Sequence, residues 1–344
     1  MIERYMINPN KIPNNTQTTH TDPTNTRPAL AKLRHPSNAR AIWQLINTLL
    51  PYTGLWYLMV RSAQLDYSYW ITFVLAIVAA GFLVRIFILF HDCVHGSLFP
   101  TKRANRLVGY ILGFLVFTPF DDWRFSHLGH HATHANLDTR GLGDIWTMTV
   151  EEYKQASVSQ RLLYRLYRNP LVIVGLGAPF TFLLWNRKTT PNGKHRERQS
   201  VVLTNLFMLI LVLSASALIG WQTFALIQLP VIWMAGMGGI WLFFVQHQFE
   251  GSYWARKNEW NASRAAMEGS SFYKLPAVLN WFSASIGYHH IHHLNPKIPN
   301  YRLQECYNTV PAVQIAEPLT IRKSVSCFGL KLWDEEQRKM VPFP

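Results

Sequence analysis

The sequence predicts an all-α integral membrane protein, with four transmembrane helices in two hairpins and a cytosolic helical cap that holds a histidine-rich site for two metal ions. Three observations predict this class. Four apolar runs are long enough for membrane helices, histidines gather in three clusters, and 33 basic residues exceed 19 acidic ones. The basic residues lie in short segments between apolar runs, as in cytosolic loops, and no nucleic-acid-binding motif accompanies them.

The four runs cover about residues 41–60, 70–90, 201–218 and 223–245. A helix needs about 20 residues at 1.5 Å each to cross about 30 Å of hydrocarbon. Short links at 61–69 and 220–222 join the runs in pairs, so each pair is expected to form a hairpin with its tip on the far side of the membrane. Arg85 is the one charged residue inside the second run.

The segments outside the four runs are expected on the cytosolic side. Residues 1–38 are polar and rich in Pro, Asn and Thr, which predicts a disordered tail ahead of a membrane domain at 39–344. Two apolar stretches are short for spans. The first, 107–120, is expected to lie in the interface or to dip in and return, and the second, 171–185, to be an interfacial helix.

The basic loop at 186–198 and residues 249–344, which lack an 18-residue apolar run, complete the predicted cytosolic face. This topology places both termini, the basic loop and all histidine clusters on one side. The expected location is the bacterial inner membrane, with the histidines facing the cytoplasm.

The histidine clusters are His91 and His95; His127, His130 and His131; and His289, His292 and His293. Spacings of i, i+3 and i+4 place imidazoles on one face of a helix. The pattern His-x-x-His-His is expected by chance roughly 0.02 times in a chain of this composition, so its two copies indicate a chemical role.

Eight neutral imidazoles in one place suit two metal ions, and imidazole binds iron, zinc, copper and nickel alike. A structural zinc site would need only four ligands, often including Cys. The three cysteines, Cys93, Cys306 and Cys327, show neither metal-type nor disulfide spacing. A proton relay would not require the repeated spacing.

Three segments resemble the histidine boxes of the membrane fatty acid desaturases. They are His-Asp-Cys-Val-His-Gly-Ser at 91–97, Trp-Arg-Phe-Ser-His-Leu-Gly-His-His at 123–131, and the stretch 289–301, which continues the third cluster with Leu-Asn-Pro-Lys-Ile-Pro-Asn-Tyr. The chain is most similar to bacterial and plastid-type acyl-lipid desaturases of the delta-12 or omega-6 kind. The resemblance covers about residues 51–307.

This resemblance implies an enzyme that introduces a cis double bond into a long-chain fatty acyl group linked to a membrane lipid. It implies two iron ions, dioxygen as cosubstrate, and electrons from an external donor, either ferredoxin or a similar carrier or a cytochrome-type one. It also implies a ninth ligand, His247, directly after the fourth run, and no catalytic residue separate from the metal ligands. The implied ligands are His91, His95, His127, His130, His131, His247, His289, His292 and His293.

Other residues are expected to support this site. His134 and His290 are interpreted as supporting or surface groups, with His290 replacing His289 if the third cluster is not helical. Candidates to orient imidazoles through their second ring nitrogen are Asp92, Asp121, Asp122, Asp138 and Asp144. Basic residues of the cytosolic face are candidates to dock an acidic donor such as ferredoxin.

Two alternatives stay open at this point. A hydroxylase or related oxygenase would use the same scaffold, although Asn-Pro-Lys-Ile-Pro at 295–299 favours a desaturase. A non-enzymatic metal-binding or metal-transport protein would need polar residues inside the spans, and beyond Arg85 the runs are almost free of charge.

Overall fold

The structure is a computed structural model that describes residues 26–141 and 143–344, and it is largely helical. The predicted disordered tail falls mostly outside these residues. Its last part, however, forms the helix α1 (Thr26–Leu33). Leu30 and Leu33 are buried in one apolar cluster with Ile88 and Ile291, which orders the end of the predicted tail.

The remaining helices follow in chain order. They are α2 (Asn38–Gln64), α3 (Tyr69–His95), α4 (Lys102–Leu115), α5 (Phe120–Thr133), α6 (Val150–Gln155), α7 (Val158–Tyr167), α8 (Gly177–Pro179), α9 (His195–Ile219), α10 (Trp221–His247), α11 (Ala262–Met267), α12 (Ala277–Phe282), α13 (His289–Leu294), α14 (Asn300–Thr309) and α15 (Ile321–Ser326). Two π-helical turns, Leu171–Leu176 and Phe180–Leu184, flank α8.

Five short strands among the described residues make the fold slightly less than all-α. In one sheet β1 (Met148–Thr149) runs parallel to β4 (Leu332–Asp334), which pairs antiparallel with β5 (Lys339–Val341). In the other, β2 (Phe272–Lys274) runs parallel to β3 (Pro318–Thr320). Strands of two or three residues carry too little alternation to be read from sequence.

The four predicted runs are all helical, and each helix extends beyond its run. Helix α2 packs along α3, α9 along α10, and α3 against α10. The turns fit these boundaries. Ser37 caps α2 by accepting a hydrogen bond from Arg40 N, and Gly96 ends α3 in the left-handed conformation at φ 65°.

Three helices among the described residues are long and apolar enough to cross a membrane, namely α3, α9 and α10. Helix α2 does not meet the same criterion, and polar residues such as Gln44 and Asn47 lower its hydropathy. A fourth candidate is instead a bent pair, α7 with Leu171–Arg187, whose axes differ by 67°. The molecule is therefore a mostly helical membrane protein with three or four candidate spans.

The stretch 171–185 packs against α10, away from the end that carries His247. Trp233 Nε1 donates a hydrogen bond to the Gly175 carbonyl at 2.7 Å. A Cβ at Gly236 would lie only 2.7 Å from the Cβ of Ala178. Gly236 precedes His247 by 11 residues, or about 16 Å along a helix. The expectation of an interfacial helix stays a prediction, and glycine on α10 lets this segment pack closely against that helix.

The predicted cap, residues 249–344, contains α11 to α15 and most of the strands. One of its helices, α12, does not sit above the end of α3. Phe282 at its last turn packs against Gly81 and Phe82, near the middle of α3. The cap and the membrane helices are therefore interleaved.

Candidate metal centre

The centre is built where α3 and α10 end. His91 and His95 lie on the last two turns of α3, and two cations bond to free carbonyls there. Arg124 Nε donates to Val94 O at 3.2 Å, and Lys297 Nζ donates to His95 O. Positive groups at a helix C-terminus satisfy its orphan carbonyls and its dipole, so these bonds fix the end of the helix that carries both histidines.

Five imidazoles converge in a first group, set one, which consists of His91, His95, His127, His131 and His292. One ring nitrogen of each lies within 4.8 Å of the others. Their Nε2 atoms approach closely: 2.9 Å from His127 to His95, 3.2 Å from His131 to His127, and 3.1 Å from His292 to His131.

A second group, set two, adjoins the first and consists of His130, His247, His289 and His293. The Nε2 atom of His247 is 3.2 Å from that of His130 and 3.0 Å from that of His289. His247, at the end of α10, thus lies in the centre, as the resemblance implied. All nine expected histidines meet in these two adjacent sets.

The helical clusters divide between the sets rather than facing one point. On α5, the i, i+4 pair His127 and His131 joins set one, while His130 joins set two. On α13, His292 joins set one, while His289 and His293 contribute to set two. A helix turns by 100° per residue, so neighbours at i+3 and i+4 diverge enough to approach two different centres.

The donor set fits metal ions better than a hydrogen-bond network. A neutral imidazole nitrogen either donates or accepts, and Nε2 of His127 has two other Nε2 atoms within 3.2 Å. Ligands at right angles around a metal at about 2.1 Å would be about 3.0 Å apart. The observed spacing is that of nitrogens that share a cation.

The buried rings are neutral, which is the state that binds metal. Burial first, and then the neighbouring imidazoles, lower the pKa values of His127, His131, His292 and His293 well below their ordinary value. His293 Nε2 is buried without a hydrogen-bond partner among the described residues. A bound cation would satisfy that nitrogen.

Two of the five candidate aspartates support the centre. Asp144 Oδ1 accepts a 2.5 Å hydrogen bond from His130 Nδ1. Burial alone would raise the pKa of Asp144, but the bond from His130 keeps it below its usual value. Asp92 Oδ1 lies 3.5 Å from His91 Nδ1. Its Oδ2 accepts bonds from the backbone and side chain of Asn300 at 2.7 and 2.9 Å.

The other three aspartates serve elsewhere. Asp121 pairs with Arg106, Asp122 accepts hydrogen bonds from Thr190, and Asp138 pairs with Arg256 near the surface. Sequence reasoning could not separate these five carboxylates, because their partners lie on other elements. It also missed Arg124, Lys297 and Asn300, although Arg124 belongs to the quoted second segment and the other two to the third.

The two remaining candidates, His134 and His290, are buried rather than on the surface. His134 Nε2 donates to Gly269 O at 2.8 Å, and burial lowers its pKa to about 4. It lies beside His130 and Asp144 and could form a third ligand group with them. His290 Nε2 donates to Val313 O at 2.9 Å and points away from both sets. Since α13 is helical, His289 rather than His290 faces the centre.

The family model for fatty acid desaturases matches residues 68–323. This chain belongs to the fatty acid desaturase family. It is 45% identical over 314 residues to a fatty acid desaturase of Bacillus subtilis (strain 168), covering 91% of this chain and 89% of that one. The desaturase is therefore an oxidoreductase that introduces double bonds into fatty acyl chains, and its histidine sets lie inside the matched region.

Plant enzymes are more distant relatives. An endoplasmic reticulum omega-3 fatty acid desaturase of Vigna radiata var. radiata is 28% identical, over 80% of this chain and 73% of its own. A chloroplastic sn-2 acyl-lipid omega-3 desaturase (ferredoxin) of Helianthus annuus is 26% identical, over 76% and 59%. These names give the omega-3 position for those proteins, and the delta-12 or omega-6 likeness of this desaturase stays a prediction.

Proposed function

We propose that the nine histidines hold two iron ions and that the desaturase uses them, with dioxygen, to introduce a cis double bond into a long acyl chain. The observation that carries this proposal is the convergence of nine imidazoles in two adjacent sets, with Nε2 separations of 2.9 to 3.2 Å. Set one would bind one ion, and set two the other.

The reaction balances as follows. A saturated pair of methylenes, dioxygen, two electrons and two protons become a double bond and two water molecules. Bound iron would supply the oxidising power that unactivated methylenes require. The residues of the chain orient the ligands: Asp144 holds the His130 ring, Asp92 faces His91, and Arg124 and Lys297 fix the end of α3.

We also propose the membrane arrangement. Helices α2, α3, α9 and α10 would form the two transmembrane hairpins, in the bacterial inner membrane, with the histidine sets at the cytoplasmic surface. Support comes from the packing of α2 on α3 and α9 on α10. It also comes from the ends of α3 and α10, which meet at the same imidazoles. The bent pair would then dip into the bilayer and return, because Arg168 bonds Gln248 just beyond α10.

The electron donor would dock beside set one. Four exposed cations, Arg34, Lys102, Arg124 and Lys297, form what we call the basic patch, next to the end of α3. Partial burial lowers the pKa of the Lys297 ammonium group. The positive charges of Arg124, Arg34 and Lys102 lower this pKa further, because these cations lie close to Lys297. A concentrated positive patch suits an acidic carrier such as ferredoxin. The relative from Helianthus annuus is named for that donor.

The substrate would be a long acyl chain carried on a membrane glycerolipid. The relative from Helianthus annuus is named as an sn-2 acyl-lipid desaturase, which supports this substrate class. An acyl chain within the leaflet would reach the histidine sets at the membrane surface without crossing water.

The direct test is gas chromatography with mass spectrometry of fatty acids from bacterial cells that express the desaturase. A new unsaturated acid is expected with the native chain and with His195→Ala, whose imidazole is exposed at the start of α9. His292→Ala should abolish it. Hydroxylated acids in place of unsaturated ones would overturn the proposed reaction.

A further inference from the structure

Arg85 is a buried charge in the middle of the apolar helix α3. Its side chain is 3% exposed, and it precedes His91 by six residues, or about 9 Å along the helix. None of the ion pairs among residues 26–141 and 143–344 includes it. Burying a cation inside an apolar helix costs free energy, so the groups that it contacts indicate its role.

The partners of Arg85 lie on two other elements. Its Nε donates a hydrogen bond to Thr48 Oγ1 on α2 at 3.0 Å. Its Nη1 donates to the carbonyl of Trp281 on α12, and its guanidinium lies 4.1 Å from the centre of the Trp281 ring. The cation–π contact and the carbonyl both favour the charge. Arg85 thus joins α12 to the hairpin of α2 and α3.

Helix α12 lies beside the middle of α3. A Cβ on Gly81 would be 3.1 Å from the Phe282 ring, and the Phe82 ring makes edge contacts with both Trp281 and Phe282. Gly81 precedes His91 by ten residues, or about 15 Å of helix. A segment at this level is well below the surface at which the histidines gather.

The outer face of α12 is apolar and uncovered. Val278, Leu279 and Trp281 are 66%, 46% and 38% exposed. On α3, Ile77 and Val78 are also exposed, at 50% and 41%, and face outward. Both neighbouring elements therefore present exposed apolar side chains, which suit contact with lipid.

The backbone around α12 bonds to itself, as backbone in hydrocarbon must. Asn280 N donates to Pro276 O at 2.8 Å, and Ser283 N donates to Leu279 O at 2.9 Å. Ala284 N donates to the Trp281 carbonyl at 3.0 Å, the same carbonyl that Arg85 covers. Arg85 therefore caps the C-terminal end of α12.

We propose that residues 276–283 form a re-entrant segment inserted into the bilayer, where Val278 and Leu279 contact acyl chains of membrane lipids and Arg85 is the anchor. The segment continues directly through a turn into His289, so lipid contact and the third histidine cluster share one stretch of chain. The proposal rests on the proposed topology for the depth of the segment and for the identity of the leaflet, but not on metal binding or on desaturation.

Depth-dependent quenching tests the insertion. Val278→Cys carries an environment-sensitive fluorophore in lipid nanodiscs that contain phosphatidylcholine with a spin label on its acyl chain. The three native cysteines are buried, so the added thiol is the preferred site of labelling. Ile77→Cys on α3 is the membrane reference, and Gln337→Cys, in the exposed turn between β4 and β5, is the water reference.

The probe at position 278 should be quenched by the acyl-chain spin label, as at position 77, and protected from iodide in the buffer. Quenching by iodide, as at position 337, would overturn the insertion. When Arg85→Met is combined with each labelled variant, acyl-chain quenching should fall at position 278 and stay unchanged at position 77. Unchanged quenching at position 77 also shows that the hairpin is intact. Unchanged quenching at 278 in that variant would overturn the role of Arg85 as anchor.

Discussion

At the scale of single residues, the carboxylate of Asp144 fixes the orientation of His130. The Asp144 side chain is 3% exposed and accepts a 2.5 Å hydrogen bond from His130 Nδ1. The Nε2 atom of His130 is thereby left free to face the other imidazoles of set two. We expect Asp144→Asn to weaken iron binding about 10-fold to 100-fold, as loss of a ligand's hydrogen-bond partner does at other metal sites. Competition with a chelator measures this affinity.

Asp138→Asn is the matched control for that substitution. Asp138 also follows the second cluster along the chain, but its side chain is 38% exposed and pairs with Arg256. Iron affinity should be unchanged in this variant. Equal affinity in the Asp144 and Asp138 variants would show that the His130 ring does not need its carboxylate.

Asn300 joins three elements at another buried position. Its side chain donates to Asp92 at 2.9 Å and accepts from Gln44 on α2 at 2.7 Å. We expect Asn300→Ala to lower the stability of the folded protein by about 1–3 kcal/mol, because it leaves buried polar groups unpaired. Thermal unfolding in detergent measures the loss. Asn308→Ala, exposed on the same helix, should unfold at the native temperature.

The candidate ligands were accessible from the sequence, whereas their supporting residues were not. Spacing of i, i+3 and i+4 is local, so it identifies His127, His130 and His131 without a structure. Asp144 reaches His130 across 14 positions, and Asn300 reaches Asp92 across 208 positions. Such contacts depend on tertiary packing, which local patterns do not encode.

At the scale of elements, two glycines on α10 provide a matched pair. A Cβ at Gly236 would meet Ala178 at 2.7 Å, while a Cβ at Gly239 has nothing within 4 Å. We expect Gly236→Ala to lower the unfolding temperature, because Ala178 or α10 must shift. Gly239→Ala should leave it unchanged or raise it, since alanine favours a helix by up to about 1 kcal/mol. Equal shifts would contradict the packing of 171–185 along α10.

The same two glycines show why the packing of the elements was harder to predict than their helical conformation. Hydrophobic length identified the runs of α3, α9 and α10. It could not tell whether a short apolar stretch such as 171–185 lies on the membrane or descends into it. Close packing of that stretch against α10 depends on small residues of α10, here Gly236.

At the scale of the whole molecule, the net charge of +14 is not spread evenly. The basic patch concentrates positive charge beside set one, where it would attract an acidic carrier. We expect Arg34→Glu with Lys102→Glu to slow reduction by ferredoxin and to weaken its dependence on salt. Stopped-flow reduction at several ionic strengths measures both effects.

Arg322→Glu with Lys323→Glu is the control for that charge reversal. These exposed cations lie on α15, and the double variant changes net charge by the same amount. Its rate of reduction should match the native rate. If both double variants slow equally, net charge rather than the basic patch governs docking.

The proposal that two adjacent histidine sets each hold one iron ion is tested most directly by iron content and desaturation, measured together on the purified protein with a working electron donor. We predict two iron ions per chain in the native protein and in His195→Ala. We predict fewer than two, and no desaturation, in His292→Ala and in His293→Ala. An active native protein with a single iron, or a His292→Ala variant that keeps two iron ions and full activity, would contradict it.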